Sequence, residues 1–128
     1  MNIPVLIVAC IMALAVVAHV LGGTRETARI APSPTTSPLN RNWVQAMGAW
    51  QMLSVDLLAV AALLFGVALW DLGAFEDVIL KGLILLFCLW GLVWFAQVWW
   101  LKREGASILH LPHWLIWFAC AGLLVVGL

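Results

Sequence analysis

At 128 residues the chain has room for one domain, and it is 66% hydrophobic and only 9% charged, where a soluble domain is roughly half and a quarter. A soluble fold of this size leaves about 30% of its unfolded surface wet, so this much apolar surface calls for a lipid bilayer. Six basic and six acidic residues cancel to a net charge of zero, which provides no basic field for a nucleic acid.

Crossing a bilayer takes about 20 apolar residues, and the chain has four runs near that length. The first, residues 3–21, carries no charge. Its lead, Met1-Asn2-Ile3-Pro4, lacks the positive region of a secretory signal and its apolar core is long, so it reads as a retained helix despite the small residues Ala13, Ala15 and Ala18. Residues 22–42 form the one substantial loop. Thr24 to Ile30 is expected to prolong the first helix by two turns, whereas residues 31–38 are too rich in proline and serine for helix.

The second run, residues 43–70, is interrupted by a single charge, Asp56. An acidic turn, residues 71–77, leads to the third run, residues 78–101, with Lys81 near its start. A basic loop, residues 102–110, precedes Leu111-Pro112, a pair suited to opening the last helix over residues 111–128. None of the runs alternates with period two, which excludes a membrane β-barrel. The predicted fold is all-α: an integral membrane bundle of four transmembrane helices in a single domain, residues 1–128.

Basic residues set the expected orientation. Arg25, Arg29 and Arg41 in the first loop and Lys102 and Arg103 in the third fall on one side of a four-span chain, against Lys81 on the other. The positive-inside tendency puts both loops in the cytoplasm and both termini outside. Trp43, Trp70, Trp99, Trp100 and Trp114 sit near span ends, where indole rings prefer the interface. Trp90 and Trp94 share a helix face deeper in, either packed between helices or lining a pigment or quinone pocket. Cys10, Cys88 and Cys120 lie apart in apolar stretches with no metal spacing and read as packing residues.

Asp56 is the foremost candidate for intramembrane function. It lies at the middle of the second span, where a charged carboxyl facing lipid costs several kcal/mol. Ala59, Ala62 and Gly66 follow on its side of the helix, and small residues at such spacing let another helix approach. Asp56 is therefore expected to face the bundle, as a proton or ion relay or as a hydrogen-bonding structural acid. A second set emerges by depth: at 1.5 Å per residue, His19, Gln51, Gln97 and His113 fall at a common level, one per helix. Two imidazoles there can ligate haem iron or a metal, and the glutamines can orient a quinone; equally, the four can form an ordinary interfacial polar layer. His110 and His113 flank a proline, which leaves their relative direction undefined. Gly22-Gly23 lacks the setting of a phosphate loop and reads as a helix contact or hinge. No catalytic set is present among the familiar hydrolase and metalloprotease patterns.

The string His19-x-x-Gly22-Gly23-Thr24-Arg25-Glu26, followed by Trp50-Gln51-x-x-Ser54 in the next helix, resembles a group of small four-helix bacterial membrane proteins of uncharacterised function. The resemblance covers about half the chain. It implies a bacterial inner membrane location and carries no activity. The second helix of that group often has Trp-His where this chain has Trp50-Gln51, a departure that argues against a paired-histidine metal site here.

The expected function is that of a non-enzymatic accessory or assembly subunit of a membrane complex, partnered by another membrane protein or by further copies of itself. The alternatives are a small proton, ion or solute transporter using Asp56, and a haem- or quinone-binding subunit using His19 and His113.

Overall fold

Asn2 opens the first helix. Its side-chain oxygen accepts the Val5 amide at 3.4 Å and its carbonyl accepts the Leu6 amide at 3.0 Å, the arrangement of an N-cap. Pro4, within the first turn, forfeits no hydrogen bond there. In the computed structural model, which describes residues 1–33, 37–101, 107, 109 and 111–128, α1 (Ile3–Val17) runs through a π-helical turn (Ala18–Gly23) into α2 (Thr24–Arg29). The three form one 27-residue helix, so the extension past residue 21 is present.

The second long helix, α3 (Pro38–Leu69), begins ahead of the expected Trp43. The reason is a Ser-Pro start: Ser37 Oγ accepts the Asn40 amide at 3.1 Å and Pro38 takes the first helical position. After α3, Asp71 Oδ1 accepts the Gly73 amide at 2.9 Å, and Gly73 adopts φ +57°, a left-handed conformation that a residue without Cβ enters at no steric cost. This tight turn lets α4 (Ala74–Leu101) start four residues before the apolar run itself. Glu76 and Asp77 occupy its first turn, where negative charge suits the helix dipole, and Asp77 pairs with Lys81 at 2.7 Å in an exposed bridge.

The last helix, α5 (His113–Val126), has 14 residues. At 1.5 Å per residue it measures about 21 Å, against a hydrocarbon core of about 30 Å. The helix up to Arg29, α3 and α4 are all long and apolar enough to cross a membrane; α5 is a shorter apolar helix. The run of residues 111–128 is thus not helical throughout: Pro112 holds the N-cap position and Gly127 the C-cap. The chain is all-α, and no strand occurs among the described residues. Lys102, Arg103 and His110 of the basic loop lie outside the described residues.

Two compact units divide the chain. The first comprises Met1–Val8 with Val67–Leu128. Here the Asn2 amide donates to the Ala68 carbonyl at 3.0 Å, and Asn2 Nδ2 donates to the Gly127 carbonyl at 2.6 Å. One residue therefore gathers the start of α1 and the ends of α3 and α5. Between α4 and α5, Phe87 is fully buried, with the Trp117 ring stacked 5.9 Å away and Trp90 at 5.7 Å. Aromatic contacts of this kind add about 0.5–1.5 kcal/mol each beyond area burial. The second unit, Ala9–Gly66, buries Met12 of α1 and Leu57, Ala61 and Leu64 of α3.

Candidate functional site

The second unit holds the most connected polar cluster among the described residues. In the π-helical turn the Thr24 amide bonds the His19 carbonyl five residues back, where an α-helix would reach back four. Thr24 Oγ1 donates to the same carbonyl at 3.4 Å. The same oxygen accepts from Gln51 Nε2 at 3.2 Å. Further along, Trp43 Nε1 donates to the Thr27 carbonyl at 3.1 Å. Three side chains of α3, Trp43, Gln51 and Ser54, thus grip the helix that passes through the π turn.

His19 is the centre of the cluster. Its ring stacks on Trp50 with 3.8 Å between centroids and 8° between planes, and its Nδ1 lies 3.0 Å from Ser54 Oγ. The Ser54 hydroxyl donates to the Trp50 carbonyl at 3.2 Å, the bond back to residue i−4 that helical serine commonly makes. With its one proton on the Trp50 carbonyl, Ser54 would accept from His19 Nδ1, the tautomer that leaves Nε2 with a bare lone pair. Nε2 and Trp50 Nε1 are both buried without a hydrogen-bond partner among the described residues. Gly23 makes the stack possible, since a Cβ at that position would collide with the Trp50 ring.

Of the four residues predicted by depth, His19 and Gln51 belong to this cluster, joined through Thr24 rather than to each other. Gln97 and His113 are exposed in the first unit. There the His113 ring meets Trp94 edge to face at 5.1 Å, and Trp94 Nε1 donates to the Leu111 carbonyl at 3.2 Å. Trp90 meets Trp117 at 5.2 Å, so Trp90 and Trp94 both make contacts to the α5 region. The first unit also has an open cleft of about 820 Å³ at its gathered helix ends, lined by Asn2, Trp70, Asp71 and Glu76 among others. No three histidine, cysteine or acidic side chains come together among the described residues. Ser54, Thr24 and Thr27 were not singled out as site residues from sequence. The signal was present in the four-residue step from Trp50 to Ser54, which places both on one helix face.

Asp56 departs from expectation. It is exposed, as are Ala59 and Ala62, while Gly66 is half-buried. The buried side of α3 is Ser54, Leu57, Val60, Ala61, Leu64 and Ala68. That stripe has larger side chains at three- and four-residue steps and gains more by packing than the small one. Asp56 has no hydrogen-bond or ion-pair partner among the described residues. The outward face of α3 therefore presents a carboxyl amid small and apolar residues, with Met52 and Val55 exposed beside it. Comparison with protein-family models, with curated proteins and with solved structures finds no match to this chain.

Proposed function

We propose that this chain is a non-enzymatic accessory or assembly subunit that docks a second membrane protein against the outward face of α3. The supporting observation is Asp56: a carboxyl at mid-span, outward-facing, with no partner in its own chain among the described residues. A charged aspartate at the centre of a transmembrane helix costs about 2.5–3.5 kcal/mol on insertion scales, and Ala59, Ala62 and Gly66 leave room for a helix to cover it. The protein sits in the bacterial inner membrane as a multi-pass chain with both termini periplasmic. The five-to-one distribution of basic residues supports that orientation. The bond from Asn2 to Gly127 supports placing the two ends on the same side. A second reading, a haem- or quinone-binding subunit, draws on the unpartnered Nε2 of His19.

A photo-crosslinking residue at Ala59, activated in native membranes, tests the docking. The expected result is one adduct with a different membrane polypeptide, with none from the same probe at Val93, an exposed residue of α4. No adduct from Ala59, or an adduct with a second copy alone, overturns the reading.

A further inference from the structure

Resting on that reading, we propose that the helix docked on α3 belongs to a different protein and carries a lysine or arginine at the depth of Asp56. The hydrocarbon half-thickness is about 15 Å. Aspartate has one methylene and cannot snorkel to water over that distance, as lysine and arginine do. Its partner must come to it within the membrane.

Among the described residues, the chain's own cations are not placed for this. Arg25, Arg29 and Arg41 lie towards the start of α3 or before it. Asp56 is 15 positions beyond Arg41 on the same helix, about 22 Å along its axis. Lys81 is paired with Asp77. A second copy packed symmetrically along α3 would set Asp56 against Asp56, a contact between two acids that brings no cation to offset either carboxylate. A foreign helix carrying a cation satisfies both requirements together: it neutralises the carboxylate and, with several N–H donors, fills its lone pairs. The small side chains of Ala59 and Ala62 on the same exposed side let backbones approach closely enough for so short an acid to be reached.

The test compares adduct yield from the Ala59 probe in chains carrying Asp56→Glu, Asp56→Asn and Asp56→Leu. Glutamate is expected to hold the yield near wild type. Asparagine, which keeps the shape and loses the charge, and leucine are each expected to cut it about tenfold or more, one decade being about 1.4 kcal/mol of docking free energy. The polypeptide in the wild-type adduct is then sequenced, and its mid-span lysine or arginine changed to aspartate. Pairing that change with Asp56→Lys is expected to restore the yield. Because Asp56 is exposed, thermal unfolding of the three variants in detergent serves as the fold control and is expected to match wild type.

Wild-type yield with Asp56→Asn overturns the cation, because a neutral side chain would then suffice. Undiminished yield with Asp56→Leu overturns any role for Asp56 while leaving the accessory reading standing. A partner without a mid-span cation likewise overturns the inference alone. Absence of the wild-type adduct overturns the accessory reading itself.

Discussion

The imidazole of His19 lies face to face with the indole of Trp50, 3.8 Å between centroids and 8° from parallel. The contact exists because Gly23 has no side chain to hold α3 away. Gly23→Val should disrupt the stack and destabilise the protein by about 1–3 kcal/mol, the usual range for overpacking. Gly22→Ala is the contrast, since a Cβ there meets nothing within 4 Å and alanine favours helix by roughly 0.5–1 kcal/mol. Thermal unfolding followed by tryptophan fluorescence should move in opposite directions for the two.

A hydrogen-bond chain running from His19 Nδ1 through Ser54 to the Trp50 carbonyl selects one tautomer. Nitrogen NMR of labelled His19 is expected to show a protonated Nδ1 and an unprotonated Nε2. Ser54→Ala removes the acceptor and should leave the two tautomers mixed, with a stability loss of about 1 kcal/mol. A dominant Nε2–H form in the parent protein would contradict the assignment.

Asn2 works in two ways, and two substitutions separate them. Asn2→Asp keeps an oxygen to cap α1 but loses the donor to Gly127, whereas Asn2→Ala loses both. Alanine should cost about 1–2 kcal/mol, within the range for a lost N-cap. Hydrogen exchange should quicken at the last turn of α5 in both variants and at the first turn of α1 only with alanine.

Because Asn2 binds both the Ala68 and the Gly127 carbonyls, the beginning and end of the chain should be reached from one side of the membrane. Single cysteines placed at Ile3 and Leu128 are expected to react together with an impermeant thiol reagent added from one and the same side of the membrane. Labelling of one from each side would refute the four-span arrangement.

The helices were legible because each apolar run reflects a requirement of the bilayer, and so was the extension of the first helix through Thr24. Their ends were set by capping chemistry that weighs little in a hydropathy pattern: Ser37-Pro38 moved the start of α3 back and Pro112 shortened α5. The direction of Asp56 was misjudged for a different reason. Small residues mark a surface a helix can approach, yet they do not say whether the approaching helix belongs to the same chain. Leu57, Val60 and Leu64 claimed the inside. Depth placed Gln51 and His19 at one level, while the hydroxyl that links them, on Thr24, became visible only once the π turn was known.

That turn also governs how the helix answers to gaining or losing residues. A π turn holds one residue more than an α turn does. Deleting Gly22 should let Ala18–Gly23 rewind as α-helix, with the residues before and after still pointing where they did. Deleting Leu14, within α1, should instead swing everything beyond it by about 100°, carrying Thr24 and Thr27 away from Gln51 and Trp43. Length polymorphism in this helix is thus absorbed at one address, next to His19.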